Sequence, residues 1–188
     1  EARRTFGLDT DRPTVLVIGG SLGARTINDA IASGIEQFEK AGVQVIWQTG
    51  KFYAEECTRK AEDARTTLVH PQAFISDMAM AYRAADIVVS RAGASSISEL
   101  CLLGKASVLV PSPNVAEDHQ TKNARALSDK GAAMFCADKD ARNNLVEMAI
   151  SLVTDKDCIE NLEREVLKLA LPDSASIIAD EVIRMATR

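Results

Sequence analysis

Twice along this chain a continuously apolar run breaks directly into small residues and then into a helix. The first instance is Val15-Leu16-Val17-Ile18-Gly19-Gly20-Ser21-Leu22-Gly23-Ala24-Arg25. The second is Ile87-Val88-Val89-Ser90-Arg91-Ala92-Gly93-Ala94-Ser95-Ser96-Ile97-Ser98-Glu99. A strand that is apolar at every position is buried on both faces, the condition of a parallel sheet covered by helices. The junction has a chemical consequence as well. The first N–H groups of a helix lack partners within it, and the helix dipole adds partial positive charge at the same end. Such a junction suits an anion, most often a phosphate. Two of them on one sheet point to a nucleotide diphosphate held between them.

The rest of the chain extends the pattern. Strand-like runs fall at 14–18, 43–47, 67–70, 86–89, 107–110 and 132–135. Ile27, Ile31, Ile35 and Phe38 repeat at helical spacing, as do Ile159, Leu162, Val166 and Leu169, and then Ala175, Ile178, Val182 and Met185. Each set makes one apolar stripe. Pro172 breaks the last two helices apart, with Asp173 or Ser174 as the cap. Strict β–α alternation implies right-handed crossovers. The predicted fold is α/β: a Rossmann-like, doubly wound sheet of about six parallel strands in a single domain spanning 1–188. Open sheets of this kind bind ligands beyond the carboxyl ends of their strands, at the switch point, between the first and fourth strands here. The two glycine turns follow those strands.

Composition bounds the partners. The net charge is −5, from 22 Lys and Arg against 27 Asp and Glu, which argues against nucleic acid as a partner. Cys57, Cys101, Cys136 and Cys158 are scattered and only two histidines are present, so no metal site is expected. Such cysteines read as reduced thiols of a cytosolic protein. No apolar run reaches transmembrane length. The chain opens at Glu1-Ala2-Arg3-Arg4 without Met, which reads as a piece of something longer.

Three chemistries compete for Gly19-Gly20-Ser21-Leu22-Gly23. A nicotinamide dinucleotide site wants G-x-G-x-x-G and an acid closing the second strand. The spacing here is G-G-x-x-G, and the second strand runs out through Gln48-Thr49-Gly50 without an acid. A P-loop wants Lys and then Ser or Thr after the last glycine, and Ala24-Arg25-Thr26 does not supply them. A nucleotide-sugar site needs helix ends but neither of these features. A tight turn that binds nothing is the plain alternative.

At these residues the sequence resembles the MurG family of bacterial glycosyltransferases. The likeness runs through Gly19 to Arg25, Phe74-Ile75-Ser76-Asp77-Met78-Ala79, Ser90 to Glu99, and Asp118-His119-Gln120-Thr121-Lys122-Asn123-Ala124. It implies the C-terminal, donor-binding half of a two-domain GT-B enzyme. That enzyme transfers N-acetylglucosamine from UDP-N-acetylglucosamine to a lipid-linked peptidoglycan precursor, with inversion, without metal or cofactor, at the cytoplasmic face of the inner membrane. The acceptor half, with its Gly-Gly-x-Gly-x-His loop, and the Asn-Pro-x-Arg segment would lie before Glu1. The piece itself would be soluble and inactive alone, with no catalytic residue of its own. Other GT-B UDP-sugar transferases, a nicotinamide-dependent oxidoreductase domain and a non-catalytic nucleotide-sugar sensor stay open as alternatives.

The resemblance assigns roles residue by residue. It implies that Ser21 and nearby amides, with Gly20 and Gly23, hold a phosphate, although serine is also a favoured helix cap. It implies that the Ile75 backbone reads the uracil edge, where the side chain alone argues for core. It implies that Gly93 and the amides of Ala94, Ser95 and Ser96 meet the diphosphate, followed by Ile97, Ser98 and Glu99. Glu99 would accept both ribose hydroxyls, having two acceptor oxygens. Ser96-x-x-Glu99 also fits a capping box, and spacing alone favours the box. Gln120 would contact the sugar hydroxyls. Where the family carries Gln-Gln, this chain has His119-Gln120, and His119 reads equally as a surface residue. Arg91 would face the phosphates or pair with a carboxylate such as Asp86. His70 reads as structural; Met78, Met80 and Tyr82 read as core or cleft wall. A last helix of this type packs on the missing domain, leaving Ile178 and Met185 exposed and prone to self-association.

Overall fold

The computed structural model describes residues 1–187. Six strands, β1 (Thr14–Ile18), β2 (Gln44–Gln48), β3 (Val69–Gln72), β4 (Ile87–Ser90), β5 (Ser107–Leu109) and β6 (Met134–Phe135), form one parallel sheet in the order β3-β2-β1-β4-β5-β6. The chain winds outward from β1 to β3, returns, and winds outward the other way from β4. The switch point is the β1–β4 pair, as the sequence predicts.

Side chains within each strand divide between two cores. Val15 and Val17 of β1 enter one layer while Leu16 and Ile18 enter the other. The first layer is covered by α2 (Arg25–Ser33), α3 (Ile35–Ala41), α4 (Ala54–Asp63) and α8 (Ala141–Thr154). The second is covered by α1 (Ala2–Thr5), α5 (Met78–Ala84), α6 (Ala94–Leu103) and α7 (His119–Ser128). Between them α9 (Lys156–Leu167) sends Leu162 into the first core and Val166 into the second. The last helix, α10 (Ser174–Ala186), buries none of its residues: Ile178 is 64% and Met185 68% exposed.

Four sequence expectations shift, one being the sixth strand, which starts at Met134, two residues later than expected. Ile27 and Ile31 lie on α2, but Ile35 and Phe38 lie on α3, because the helix breaks at Gly34. A Cβ there would come within 2.5 Å of Val146, so the break is where α8 packs closest. The third strand starts two residues later than expected. Glu39 captures the amides of Thr67 at 2.8 Å and Leu68 at 3.1 Å before the ladder begins. Pro71 then falls inside β3, tolerated because β3 is an edge strand. Finally, Leu169 lies beyond the end of α9.

A buried polar network fixes α2 to the sheet. Trp47, fully buried, donates its indole N–H to Asn28 Oδ1 at 2.9 Å. Asn28 Nδ2 donates in turn to the Thr49 carbonyl at 2.8 Å. Each group has a partner, so the network specifies position without leaving a buried donor stranded. It sets the height of α2 against β2, and hence the loop that precedes α2.

Candidate functional site

The register places Ile18 beside Ser90, so the loops after β1 and β4 leave the sheet side by side. The first loop is shaped by glycine. Gly20 and Gly23 both have φ of +81°, and the Gly23 N–H closes a turn onto the Gly20 carbonyl at 3.0 Å. A Cβ on Gly23 would stand 2.2 Å from the Thr49 carbonyl oxygen and 2.7 Å from the Tyr53 ring. Only glycine lets this loop lie against the loop after β2.

Both loops end in helices whose first turns are open. The residue capping α2 is Ala24, and none of its side-chain atoms serves the helix; the first amide to bond within it is Asn28, to the Ala24 carbonyl at 2.9 Å. The residue capping α6 is Gly93, and its first internal bond is Ile97 N–H to the Gly93 carbonyl at 3.0 Å. The amides of Ala94, Ser95 and Ser96 therefore stay free. Two corrections follow. Ser21 is exposed in the turn and is not the α2 cap. Ser96 and Glu99 do not form a capping box, because the helix starts at Gly93 and both residues lie inside it.

A cavity of 590 Å³ opens between these helix ends, lined by Gly19, Gly20, Gly23, Arg25, Gly93, Ser96 and Gln120 among others. Gln120 reaches it from α7. Its Oε1 accepts the Ser112 N–H at 2.9 Å, which fixes the amide plane and leaves Nε2 as a free donor. The turn before α7 is bent by Glu117 and Asp118, at φ of +53° and +52°, and Asn123 Nδ2 ties the helix to the Ala92 carbonyl at 3.1 Å. His119 is exposed, with Nδ1 on the Ala116 carbonyl at 2.9 Å, and does not line the cavity.

Arg91 does not pair with Asp86. It forms an ion pair with Asp138 and donates to the carbonyls of Val110 at 3.1 Å and Pro111 at 3.2 Å. Asp86 instead holds Arg3 at 2.7 Å and the Thr14 amide, at the opposite end of the sheet. Asp138 also accepts from Thr26 Oγ1 at 3.0 Å, so one carboxylate links the loop after β6, the first turn of α2 and Arg91.

Farther along the same edge, Ile75 is buried to 2%, which pins its side chain in the second core. Its backbone N–H and C=O have no hydrogen-bond partner among the described residues. Tyr82, on α5, donates its hydroxyl to Glu99 Oε2 at 2.9 Å. Burial first, and then the Glu99 carboxylate, push the Tyr82 phenol far above its ordinary value. Ser95, Ser98 and Glu99 are exposed along the outer face of α6, with Ile97 packed against the core. His70 is half-buried in β3, and burial lowers its pKa.

The structure thus gathers Gly20, Gly23, Arg91, Gly93, Ser96 and Gln120 about one cavity. Ser21, Ala94, Ser95, Ile75 and Glu99 stand on its rim or beyond it. Sequence reasoning missed Arg25, Tyr53, Ser112, Asn114 and Asp138, which also line it. Each lies just past a strand's carboxyl end, the one signal available for them. No group of three or more metal-ligating side chains occurs among the described residues, and none of their helices is long and apolar enough to cross a membrane.

Residues 14–177 match the family described as Glycosyltransferase family 28 C-terminal domain. Two curated relatives carry the name UDP-N-acetylglucosamine–N-acetylmuramyl-(pentapeptide) pyrophosphoryl-undecaprenol N-acetylglucosamine transferase. The one from Phocaeicola vulgatus is 50% identical over 189 residues, covering 100% of this chain and 50% of that protein. The one from Parabacteroides distasonis is 52% identical over 185 residues, covering 98% and 50%. The crystal structure of MurG from Acinetobacter baumannii superposes with a TM-score of 0.82 at 28% identity, over 97% of this chain and 52% of that one. The chain spans about half the length of the curated relatives it matches.

Proposed function

This chain belongs to the glycosyltransferase family 28 C-terminal domain family, and we propose that its 188 residues are the donor-binding half of a UDP-N-acetylglucosamine transferase. The whole enzyme passes N-acetylglucosamine to an undecaprenyl-diphospho-MurNAc-pentapeptide acceptor. The observation that carries this reading is the pair of uncapped helix N-termini, α2 and α6, opening on one cavity beside the free amide of Gln120. The oxidoreductase alternative has no support left: β2 ends at buried Gln48 and is followed by buried Thr49, with no carboxylate for a ribose.

In this reading the uracil edge meets the free backbone N–H and C=O of Ile75. The ribose hydroxyls donate to Glu99, whose second partner is Tyr82. The diphosphate sits between the amides of Ala94, Ser95 and Ser96 and the loop carrying Gly20, Ser21 and Gly23. Gln120 Nε2 donates to a sugar hydroxyl; an amide held at one angle discriminates hydroxyl orientation. The acceptor hydroxyl attacks the anomeric carbon from the face opposite the diphosphate. The new C–O bond forms as the bond to phosphate breaks, and the proton passes to a base on the acceptor half. Charge grows on the departing UDP, where preorganised helix ends stabilise it more in the transition state than in the ground state. The place of work is the cytoplasmic face of the bacterial membrane, where a lipid-linked acceptor resides.

The test is calorimetric titration with UDP-N-acetylglucosamine of the wild type, Glu99→Ala and Gln120→Ala. Loss of one charge-assisted contact weakens binding about tenfold or more in Glu99→Ala. Gln120→Ala weakens the sugar nucleotide but not UDP. Equal affinity across all three proteins would overturn the reading.

A further inference from the structure

Two arginines line the cavity, and they are not in the same state. Arg91 is spent. Its guanidinium holds Asp138 and two carbonyls, and its side chain is only 15% exposed. Turning it towards a ligand would strand a half-buried carboxylate and unpick the link to Thr26. Arg25 is the opposite case. It is the first residue of α2, it lines the cavity, and its guanidinium has no hydrogen-bond acceptor and no ion-pair partner among the described residues. Glu56, whose carboxylate feels its charge, is already paired with Lys60 at 2.7 Å.

Arg25 is nonetheless held. Its guanidinium carbon lies 5.3 Å from the centroid of the Tyr53 ring, a stacking distance. That ring is itself wedged against Gly23 and its backbone N–H bonds the Gly50 carbonyl at 3.2 Å. The cation therefore rests on a fixed aromatic platform at the mouth of the glycine loop, with its N–H donors unspent. A planar guanidinium with free donors is the side chain best suited to two phosphate oxygens at once.

We infer that Arg25, and not Arg91, is the side chain that neutralises the diphosphate of the donor, while Arg91 is a positioning residue that holds the loops after β5 and β6 through backbone carbonyls and Asp138. The inference rests on the donor-site reading and deepens it. It assigns a residue to the leaving group that neither the strand pattern nor the glycine spacing marks out.

The experiment compares UDP with uridine, which keeps the base and ribose but lacks the charge. Both are titrated into wild type, Arg25→Gln and Arg25→Lys at low and moderate salt. In Arg25→Gln, UDP binding weakens about ten- to hundredfold while uridine binding stays within about twofold, as expected for one charge-assisted contact. The salt dependence of UDP binding flattens in the same variant, because one fewer charge is screened. Arg25→Lys recovers part of the affinity. Unchanged UDP affinity and salt dependence in Arg25→Gln would overturn this inference while leaving the donor site intact. A folded wild-type protein that binds uridine and UDP not at all would overturn the donor-site reading itself.

Discussion

The Tyr82 hydroxyl donates to Glu99 Oε2 at 2.9 Å, joining α5 to α6. This bond occupies one oxygen of Glu99 and aims the other. A carboxylate on an exposed helix face would otherwise rotate freely. In the donor site proposed above, Tyr82 would set the geometry in which Glu99 meets a ribose without touching the ligand itself.

Tyr82→Phe is therefore expected to weaken UDP binding several-fold. The hydroxyl bond contributes about 1 kcal/mol. The same variant should leave binding of 2′,3′-dideoxy-UDP almost unchanged, since both hydroxyls that would donate to Glu99 are gone. Titration of both nucleotides into both proteins checks this, and a parallel loss for the two would show that Tyr82 acts only on stability.

Gly20 and Gly23 share a φ of +81° but differ in surroundings, and their alanine variants should differ accordingly. A Cβ on Gly20 meets nothing within 4 Å, so Gly20→Ala costs only the conformational penalty, about 1–2 kcal/mol. A Cβ on Gly23 collides with the Thr49 carbonyl, so Gly23→Ala adds overpacking and costs about 2–5 kcal/mol. Urea denaturation of the two variants should rank them in that order.

Asn28→Leu tests the network beneath the loop. It strands the Trp47 indole N–H and the Thr49 carbonyl, both buried, at about 1–3 kcal/mol each. The expected result is a large fall in stability with a blue-shifted Trp47 emission, since Trp47 is the chain's one tryptophan and would lose its polar partner.

The two glycine junctions were legible because their physics is local. A strand apolar at each position, a turn of small residues and an immediate helix can be read from Val15 to Arg25 without any distant residue. The doubly wound sheet with its switch point between the first and fourth strands was legible from the same pattern. What sequence could not supply was pairing over distance. Arg91 and Asp138 are 47 residues apart, and Asp86, the nearer acid, lies at the other end of β4. The capping-box reading of Ser96 and Glu99 failed for a related reason. The motif was present, but the helix begins three residues earlier, at Gly93, whose extended backbone makes it the entry point. Backbone groups such as those of Ile75 leave no mark on sequence at all; only the resemblance pointed there.

Stability should fall on the alkaline side. Burial, and then neighbouring carboxylates, push the Cys57 thiol up to about 11, and the Cys136 thiol likewise to about 11, from an ordinary 9.0. The folded state favours the neutral thiol, so this contribution is fully present below about pH 9 and is lost as pH rises through about 11. Thermal melts between pH 8 and 11 should show the fall, and the double variant Cys57→Ala, Cys136→Ala should flatten it.

The most direct measurement is a calorimetric titration of this chain with UDP-N-acetylglucosamine, UDP-galactose and NADH under identical conditions. The expected result is saturable binding of UDP-N-acetylglucosamine, weaker binding of UDP-galactose through the Gln120 amide, and no heat from NADH. Binding of NADH in preference to both sugar nucleotides would contradict it.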